Sequence, residues 1–289
     1  MPHRKQFTAM IESPGIIQAP GVYDGLSAHL VQEAGFSAAF LSGACLAFSR
    51  FGRPDMGLVT ATEVADAVAA IRERVSIPLI VDMDTGFGNA VNVGRTVKTF
   101  ERAGATALQM EDQVLPKRCG HMAGKAVVST EEMVGKIKAA LDARQNDDTK
   151  IIARTDALGV LGFEEALKKG HAYKDAGADL LFIEAPKTVT QMREIGKAFG
   201  SDIPLVHNLV EGGGSPLEEL DDIAALSYKV ALYPAALLHG FVPVAERLLA
   251  HLKQQGQTVE MRETMVDLKY MNDLLGAPDL IKDAEKYGP

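Results

Sequence analysis

Short apolar runs alternate with longer amphipathic segments along most of this chain. The runs predict eight strands, at 16–19, 38–41, 78–81, 107–110, 151–153, 180–183, 204–206 and 228–232. They are continuously apolar rather than alternating, as expected for parallel strands that are buried on both faces. Between them, the segments 62–75, 91–103, 131–143 and 164–176 have the residue spacing of helices. The pattern therefore predicts strands and helices in alternation.

Three segments end in an Ala-Gly pair just before a predicted strand. Their glycines, Gly35, Gly104 and Gly177, can adopt the left-handed conformation that ends a helix. Eight strand–helix units with short connections favour an α/β fold, a (β/α)8 barrel of the TIM type, over a doubly wound sheet. A dinucleotide-binding sheet is further disfavoured because no GxGxxG motif follows the first strand.

The last part of the chain is longer than the eighth barrel helix requires. Helical spacing continues through Leu248, Leu249 and Leu252, and then through Met265, Leu268, Met271 and Leu275. We therefore predict a single barrel domain over 1–289 with a helical C-terminal extension at about 242–289. Such an extension packs either on a neighbouring subunit or against its own barrel.

Composition narrows the possible partners. Hydrophobic residues make up 47% of the chain, and 30 basic against 38 acidic residues give a net charge of −8, with no basic block that would suit nucleic acid. No apolar run approaches the roughly 20 residues of a membrane helix, and the N-terminus does not resemble a secretory signal. Two cysteines without a pairing pattern indicate a reducing compartment. We expect a cytoplasmic protein whose partner is a small molecule, with no nucleic-acid or membrane binding.

Polar residues are concentrated where the predicted strands end, which in a barrel is the face that carries active sites. In strand order these residues are Ser42, Gly43 and Ala44, then Asp82 and Asp84, Glu111, Arg154, Glu184, and finally Asn208 and Glu211. The Arg154 guanidinium could bind a substrate carboxylate through two hydrogen bonds. It could equally form a structural salt bridge with Glu184 or Asp156, and the two roles are compatible.

Three of these residues, Asp82, Asp84 and Glu111, are acidic and are expected to converge. Asp82 and Asp84 point to the same side of an extended segment, and Glu111 ends the neighbouring strand. Carboxylates that converge repel one another unless a cation lies among them. Oxygen ligands favour Mg²⁺, with Mn²⁺ as a second possibility. The alternative is that one or two of them cap helices or pair with Arg154 and Lys117.

A cysteine flanked by cations follows Glu111, in the sequence Lys117-Arg118-Cys119-Gly120-His121. Neighbouring positive charges lower the pKa of a thiol and make it usable as an acid or nucleophile. The alternative is a buried and inert loop cysteine, which is the interpretation we prefer for Cys45. The two cysteines match no zinc-ligand spacing.

The chain resembles the isocitrate lyase/phosphoenolpyruvate mutase superfamily along nearly its whole length. The matching segments are PGVYDGLSA, LSGACLAFSRFGRPD, VDMDTGFGNAVNVGRTV, LQMEDQVLPKRCGHMAGKAVV, IIARTDAL, FIEAP and HNLVEGGGSP. The KRCGH sequence is typical of the carbon–carbon lyase branch. The resemblance implies a (β/α)8 barrel whose last helix is swapped between subunits, in a homotetramer built as a dimer of dimers.

The resemblance also implies roles for individual residues. Mg²⁺ would be held, largely through water, by Asp55, Asp82, Asp84 and Glu111. The 2-oxo acid half of the product would be held by Ser42, the backbone of Gly43 and Ala44, and Arg154, with Asn208, Glu211 and Gly120 completing the substrate-binding set. Cys119 would protonate the leaving carbanion, and its surroundings would be Lys117, His121 and Glu184. A mobile loop at 115–125 would exclude water during this step.

Two differences from the 2-methylisocitrate-cleaving branch bear on the substrate. Phe40 stands where that branch usually has Tyr, and Leu209-Val210-Glu211-Gly212-Gly213 stands where it tends to have a segment of the Thr-Glu-Phe-Gly type. Fewer polar groups for a third carboxylate favour a dicarboxylate such as 2,3-dimethylmalate, which would give pyruvate and propionate. The alternatives are 2-methylisocitrate (giving pyruvate and succinate), oxaloacetate hydrolysis, phosphonopyruvate or carboxyphosphonoenolpyruvate chemistry, and a non-catalytic binding barrel.

Overall fold

Eight parallel strands close into a barrel in the computed structural model, which describes residues 2–120 and 124–288. The strands are Ile17–Val22 (β1), Ala39–Leu41 (β2), Leu79–Asp82 (β3), Ala107–Glu111 (β4), Lys150–Thr155 (β5), Leu180–Ile183 (β6), Leu205–Asn208 (β7) and Tyr228–Tyr233 (β8). Each strand pairs with the next, and β1 pairs with β8 through Ile17 and Val230. All eight predicted strands and the barrel fold are confirmed.

Helices precede, connect and follow the strands along the chain. They are His3–Glu12 (α1), Gly25–Glu33 (α2), Gly43–Phe51 (α3), Ala61–Arg74 (α4), Ala90–Ala103 (α5), Thr130–Ala143 (α6), Ala157–Leu161 (α7), Phe163–Asp175 (α8), Val189–Phe199 (α9), Leu220–Ala225 (α10) and Ala236–Gln255 (α11). The four helices predicted from residue spacing are α4, α5, α6 and α8, each within one residue of its expected ends. Gly35, Gly104 and Gly177 have φ of 86°, 109° and 97°, which is the left-handed conformation expected of them.

The apolar side chains form two layers of core. The larger layer lies between the strands and the surrounding helices, and the smaller one fills the barrel interior. Phe7 of α1 is fully buried in the interior layer, where Met10 and Ile11 also pack. The sequence pattern did not predict α1, although this helix supplies the largest side chain that joins the interior layer from outside the strands.

The chain separates into two compact units, residues 1–239 and residues 240–289. The second unit contains the remainder of α11, the 3₁₀ helix Val259–Thr264, and the helices Leu268–Leu274 (α12) and Ala277–Glu285 (α13). The predicted extension is therefore present and helical, while the exchange of a helix between subunits stays a prediction. In the described part of the chain, every helix is too short or too polar to span a membrane.

Candidate active site

The ends of β2 and β3 meet at the start of helix α3. Ser42 caps this helix, since its hydroxyl oxygen accepts a hydrogen bond from Cys45 N at 3.2 Å. The backbone N–H of Gly43 points to the neighbouring strand and donates to Oδ2 of Asp82 at 3.3 Å. A Cβ at Gly43 would lie 3.0 Å from the same oxygen, so glycine permits this approach. The first turn of α3 thus faces the acidic cluster.

Asp82 and Asp84 are held by the turn that follows β3. Asp84 has a φ of 47°, an uncommon conformation for a residue other than glycine. Its N–H donates to Oδ1 of Asp82 at 3.1 Å, and its carbonyl accepts from Glu111 N at 2.8 Å. These bonds bring the three predicted acidic residues to one end of the barrel, although Asp84 lies in a turn and not on the extended segment from which this was predicted.

Lys117 lies among the carboxylates. Its ammonium is 2.5 Å from Asp55 Oδ1 and 2.7 Å from Asp84 Oδ1, and 4% of its side chain is exposed. Burial acts to lower the pKa of Lys117, but Asp84 and Glu111 raise it well above its usual range. Burial raises the pKa of Asp84 to about 6, against the opposing effect of Lys117. The pairing with Lys117 that we considered as an alternative is therefore present, and it involves a second predicted ligand, Asp55.

The donor set at this end of the barrel suits a hard cation. Oε1 of Glu111 is buried and has no hydrogen-bond partner among the described residues, and burial raises the pKa of Glu111 well above its usual range. Residues 2–120 and 124–288 contain no three Asp, Glu, His or Cys side chains placed to bind one metal ion directly. The expected convergence of Asp82, Asp84 and Glu111 on one ion is therefore not met among these residues. Their carboxylate oxygens are nevertheless of the kind that Mg²⁺ prefers.

Arg154 is buried and contacts three carboxylates. Its Nε is 3.0 Å from Asp156 Oδ2 and 3.3 Å from Glu111 Oε2, and its Nη2 is 3.6 Å from Glu184 Oε1. Burial acts to lower the pKa of Arg154, but Asp156 and Glu184 raise it well above its usual range. Both salt bridges considered from the sequence are therefore formed. Asn208 completes the group by donating to both carboxylate oxygens of Glu184 at 3.4 Å.

The cysteine-containing segment is attached to the end of β4. Gln113 receives a hydrogen bond from Arg118 N at 2.9 Å and donates to the Arg118 carbonyl at 2.8 Å. This two-way bond fixes the backbone immediately before Cys119, whose side chain is half-buried. His121, which the resemblance places beside Cys119, lies outside the described residues.

A cavity of about 130 Å³ brings most of the predicted site residues together. The predicted residues on its wall are Ser42, Ala44, Asp55, Asp82, Glu111, Lys117, Cys119, Gly120, Arg154, Glu184 and Asn208. Asp84 and Gly43 do not line the cavity but contact Lys117 and Asp82 respectively. Glu211 does not line it either; its carboxylate lies 3.3 Å from Nδ1 of His239, which does.

The rest of the cavity wall is mainly apolar, and apart from Phe40 and Val210 its residues were not predicted from the sequence. It consists of Phe40, Phe48, Val210, Pro234 and Ala235, together with Arg118 and His239. Pro234 and Ala235 follow β8, so extending the search to the end of the eighth strand would have found them. His239 was not among the predicted site residues; its side chain is 44% exposed and pairs with Glu211.

A second cavity of about 300 Å³ adjoins the first and shares with it the residues Gly120, Glu184, Asn208 and Val210. It is bordered by Lys125, Lys187 and the glycine-rich segment that ends at Ser215. Ser215 is 2.8 Å from the buried His207 ring, which joins this segment to β7. The region beside Glu184 is therefore flanked by two lysines.

Comparison with known proteins identifies relatives over nearly the whole chain. The sequence profile of the phosphoenolpyruvate phosphomutase family matches residues 7–248. A 2,3-dimethylmalate lyase from Eubacterium barkeri is 44% identical over 269 residues, covering 92% of each chain. A 2-methylisocitrate lyase from Aeropyrum pernix is 42% identical over 277 residues, covering 96% of this chain and 88% of that protein.

Solved structures give the same grouping. A 2,3-dimethylmalate lyase described as a PEP mutase/isocitrate lyase superfamily member superposes with a TM-score of 0.93 at 34% identity, covering 100% of this chain and 96% of that one. A phosphonopyruvate hydrolase solved with oxalate and Mg²⁺ superposes with a TM-score of 0.90 at 33% identity, covering 99% of both chains. A protein with this fold has thus been solved in complex with Mg²⁺.

Proposed function

The chain belongs to the phosphoenolpyruvate mutase/isocitrate lyase superfamily, and we propose that it is a Mg²⁺-dependent carbon–carbon lyase that cleaves 2,3-dimethylmalate or a closely similar 2-hydroxy dicarboxylate. The products would be pyruvate and propionate. The observation that carries the proposal is that a single cavity is lined by Cys119, Arg154 and the carboxylates of Asp55, Asp82 and Glu111. A proton donor, a carboxylate-binding cation and a set of cation ligands are the groups that this reaction needs.

Different residues of the chain would bind the substrate and transfer the proton. Arg154 would bind the C1 carboxylate of the 2-hydroxy acid, while Ser42 and the N–H groups that open α3 would bind the oxygen on C2. The C2 hydroxyl would first give its proton to one of the carboxylates on the cavity wall. The C2–C3 bond would then break, so that C2 becomes a carbonyl and the electron pair remains on C3, delocalised into its carboxylate. The Cys119 thiol would then donate its proton to C3. Glu184, held by Asn208, would keep Arg154 oriented.

Asp55, Asp82, Asp84 and Glu111 would hold the cation, largely through water. When bound, Mg²⁺ supplies Lewis-acid stabilisation of the negative charge that develops on the substrate oxygens. The unpartnered, buried Oε1 of Glu111 supports this assignment, because such an atom is costly without a partner.

The apolar wall of the cavity supports a methyl-substituted dicarboxylate. Phe40 and Val210 both line the 130 Å³ cavity, so the two positions that differ from the 2-methylisocitrate-cleaving branch lie in one place. A phenylalanine and a valine can pack against methyl groups but cannot donate hydrogen bonds to a third carboxylate. The 44% identity to a 2,3-dimethylmalate lyase supports the same choice.

A second candidate, 2-methylisocitrate, has a specific observation in its favour. The larger adjoining cavity is bordered by Lys187, and it could hold the additional carboxylate of a longer substrate. The 42% identity to a 2-methylisocitrate lyase also supports it. The substrate panel described next separates the two candidates.

The test measures 2-oxo acid release, with and without Mg²⁺, from 2,3-dimethylmalate, 2-methylisocitrate, isocitrate, oxaloacetate and phosphonopyruvate. We expect Mg²⁺-dependent pyruvate release with the highest kcat/KM for 2,3-dimethylmalate. A higher kcat/KM for 2-methylisocitrate would replace the substrate but keep the reaction class. Turnover of phosphonopyruvate alone, or of no compound, would contradict the lyase proposal.

The assembly and location are part of the proposal. A homotetramer of helix-swapped dimers is suggested by the family resemblance and by the helical unit at 240–289. A cytoplasmic location is suggested by the two cysteines without a pairing pattern. Size-exclusion chromatography with light scattering tests the first of these.

A further inference from the structure

Lys125 follows the KRCGH sequence by four residues, and its side chain turns back into the protein. The ammonium donates to the carbonyl of Gly120 and to Oδ1 of Asp156, the latter at 2.7 Å. Only 7% of the Lys125 side chain is exposed, and none of the Asp156 side chain. A buried ammonium is costly unless it is paired, so this pair differs from a solvated surface contact that contributes little.

Asp156 is shared between Lys125 and the substrate-binding arginine. Its carboxylate accepts from Arg154 Nε at 3.0 Å and from Nη2 at 3.3 Å. Burial acts to raise the pKa of Asp156, but Arg154 and Lys125 lower it to about 2. A charged carboxylate therefore lies between the two cations and joins them.

Asp156 is itself held in place by Asp112. The two oxygens of Asp112 accept from Asp156 N at 2.9 Å, from the Thr155 hydroxyl at 2.7 Å and from the Tyr173 hydroxyl at 2.7 Å. Asp112 is completely buried. A fully satisfied buried network has little freedom to shift. The position of Asp156 is therefore set by β4, β5 and α8 rather than by the segment that carries Cys119 and Lys125.

Gly120 is in close contact with the groups that Asp156 orients. A Cβ at this position would collide with Nη2 of Arg154 and with Oε1 of Glu184. The backbone next to Cys119 therefore packs directly against the side chains of Arg154 and Glu184. The Gly120 carbonyl accepts a hydrogen bond from Lys125. Lys125 therefore connects this backbone to Asp156, the carboxylate that also holds Arg154.

We propose that Lys125 is a positioning residue that, through Asp156, fixes the Cys119–Gly120 peptide relative to Arg154. Its catalytic consequence rests on the proposed lyase function, because there Cys119 must reach C3 of a substrate whose carboxylate is bound by Arg154. Lys125 sets the distance between the proton donor and the bound carboxylate without contacting the reacting atoms. Its loss is expected to affect kcat more than KM.

The test compares Lys125→Met with Lys168→Met, a control on the surface of α8 whose side chain is 69% exposed and pairs with Glu165. The primary measurement is the rate of Cys119 alkylation by iodoacetamide, followed on the Cys119 peptide by mass spectrometry, with buried Cys45 as the internal reference. This readout does not depend on the identity of the substrate. The secondary measurements are kcat, KM, inhibition by oxalate, and the melting temperature.

In Lys125→Met we expect Cys119 alkylation to accelerate about tenfold, since a charge-assisted hydrogen bond that restrains the peptide is lost. We expect kcat to fall about 100-fold, which is the cost of a small misplacement of a reacting group, while KM and oxalate inhibition stay close to wild type. Lys125→Gln, which keeps a donor, should recover part of both effects. The Lys168→Met control should match wild type.

Unchanged alkylation of Cys119 in Lys125→Met would overturn the proposal, as would a loss of kcat accompanied by an equal loss of oxalate binding. A lower melting temperature with normal alkylation and kcat would show that Lys125 has only a structural role. If Lys125→Met does not fold, the same comparison with Lys125→Gln decides. If wild-type protein has no lyase activity, the proposed function fails, while the alkylation rates still decide the role of Lys125.

Discussion

The ammonium of Lys117 lies 2.7 Å from Oδ1 of Asp84. This contact attaches the start of the cysteine-containing segment to a predicted cation ligand. The carboxylate that we propose helps to hold Mg²⁺ therefore also positions the backbone that leads to Cys119. Changes at Asp84 are expected to affect cation binding and the seating of this segment together.

Replacing Asp84 with alanine should weaken activation by Mg²⁺. We expect the Mg²⁺ concentration for half-maximal activity to rise about 10- to 100-fold, the range seen when a group that supports a metal site is removed. The measurement is a Mg²⁺ titration of pyruvate release. Asp202→Ala, which removes an exposed carboxylate paired with Lys174, is the control. An unaltered Mg²⁺ requirement in Asp84→Ala would show that the cation is bound elsewhere.

Replacing Cys119 with serine should remove lyase turnover while the protein remains folded and able to bind Mg²⁺. A serine hydroxyl is a far weaker acid than a thiol, so we expect kcat to fall by about 10²- to 10⁴-fold. Cys45→Ala serves as the control, because Cys45 is buried and burial raises the pKa of its thiol to about 11. Retention of normal turnover by Cys119→Ser would remove the assigned proton donor.

Substrate preference should respond to the two apolar wall positions. The double variant Phe40→Tyr and Val210→Thr adds two hydroxyl groups to the 130 Å³ cavity. We expect the ratio of kcat/KM for 2-methylisocitrate to that for 2,3-dimethylmalate to rise about tenfold. A new hydrogen bond to a carboxylate contributes a free energy of binding of that order. The same two exchanges at exposed Phe51 and Val91 are the matched control. An unchanged ratio would mean that these residues do not select the substrate.

The strands and most of the site could be predicted because both follow from local patterns. Continuous apolar runs mark buried parallel strands, and the residues that directly follow these runs, such as Asp82, Glu111 and Arg154, must lie at one end of a closed barrel. The fold then brings these ends together. The sequence could not give the pairing of Lys117 with Asp55, because these residues come from different loops whose conformations depend on tertiary contacts.

Two further features escaped prediction for related reasons. Helix α1 is short and has a single fully buried residue, Phe7, so its apolar pattern is weak. The pairing of His239 with Glu211 joins the first turns of α11 to the loop after β7, and nothing in the sequence spacing connects them. In both cases the decisive contact joins residues that are far apart in the sequence, and it depends on one side chain.

Phe7→Ala tests whether α1 is required to close the barrel interior. Phe7 is fully buried in the interior core layer, so its truncation should lower the free energy of unfolding by about 3–5 kcal/mol. Urea denaturation followed by circular dichroism measures this change. Phe51→Ala, at a position where 38% of the residue is exposed, should cost much less. Equal effects of the two variants would argue against a role for α1 in the core.

His3 gives this helix a dependence on pH. Its Nδ1 is 2.7 Å from the Thr106 hydroxyl oxygen, which also accepts from Leu79 N at 2.9 Å. The hydroxyl proton is thus available for His3, which accepts it as a neutral ring. Burial, followed by Arg72 and Arg4, lowers the pKa of His3 from 6.5 to about 4.

Between about pH 6.5 and pH 4, the unfolded chain therefore binds a proton at His3 that the folded chain does not, so stability is complete above this range and falls as the pH drops through it. Because the ring is only half-buried, we expect a loss of about 1 kcal/mol from this residue rather than the full linkage value. The measurement is the urea midpoint at neutral and at acidic pH for wild type, His3→Gln and the exposed control His171→Gln. His3→Gln should show a smaller decrease than the other two. A decrease of the same size in all three would assign the acid sensitivity to other groups.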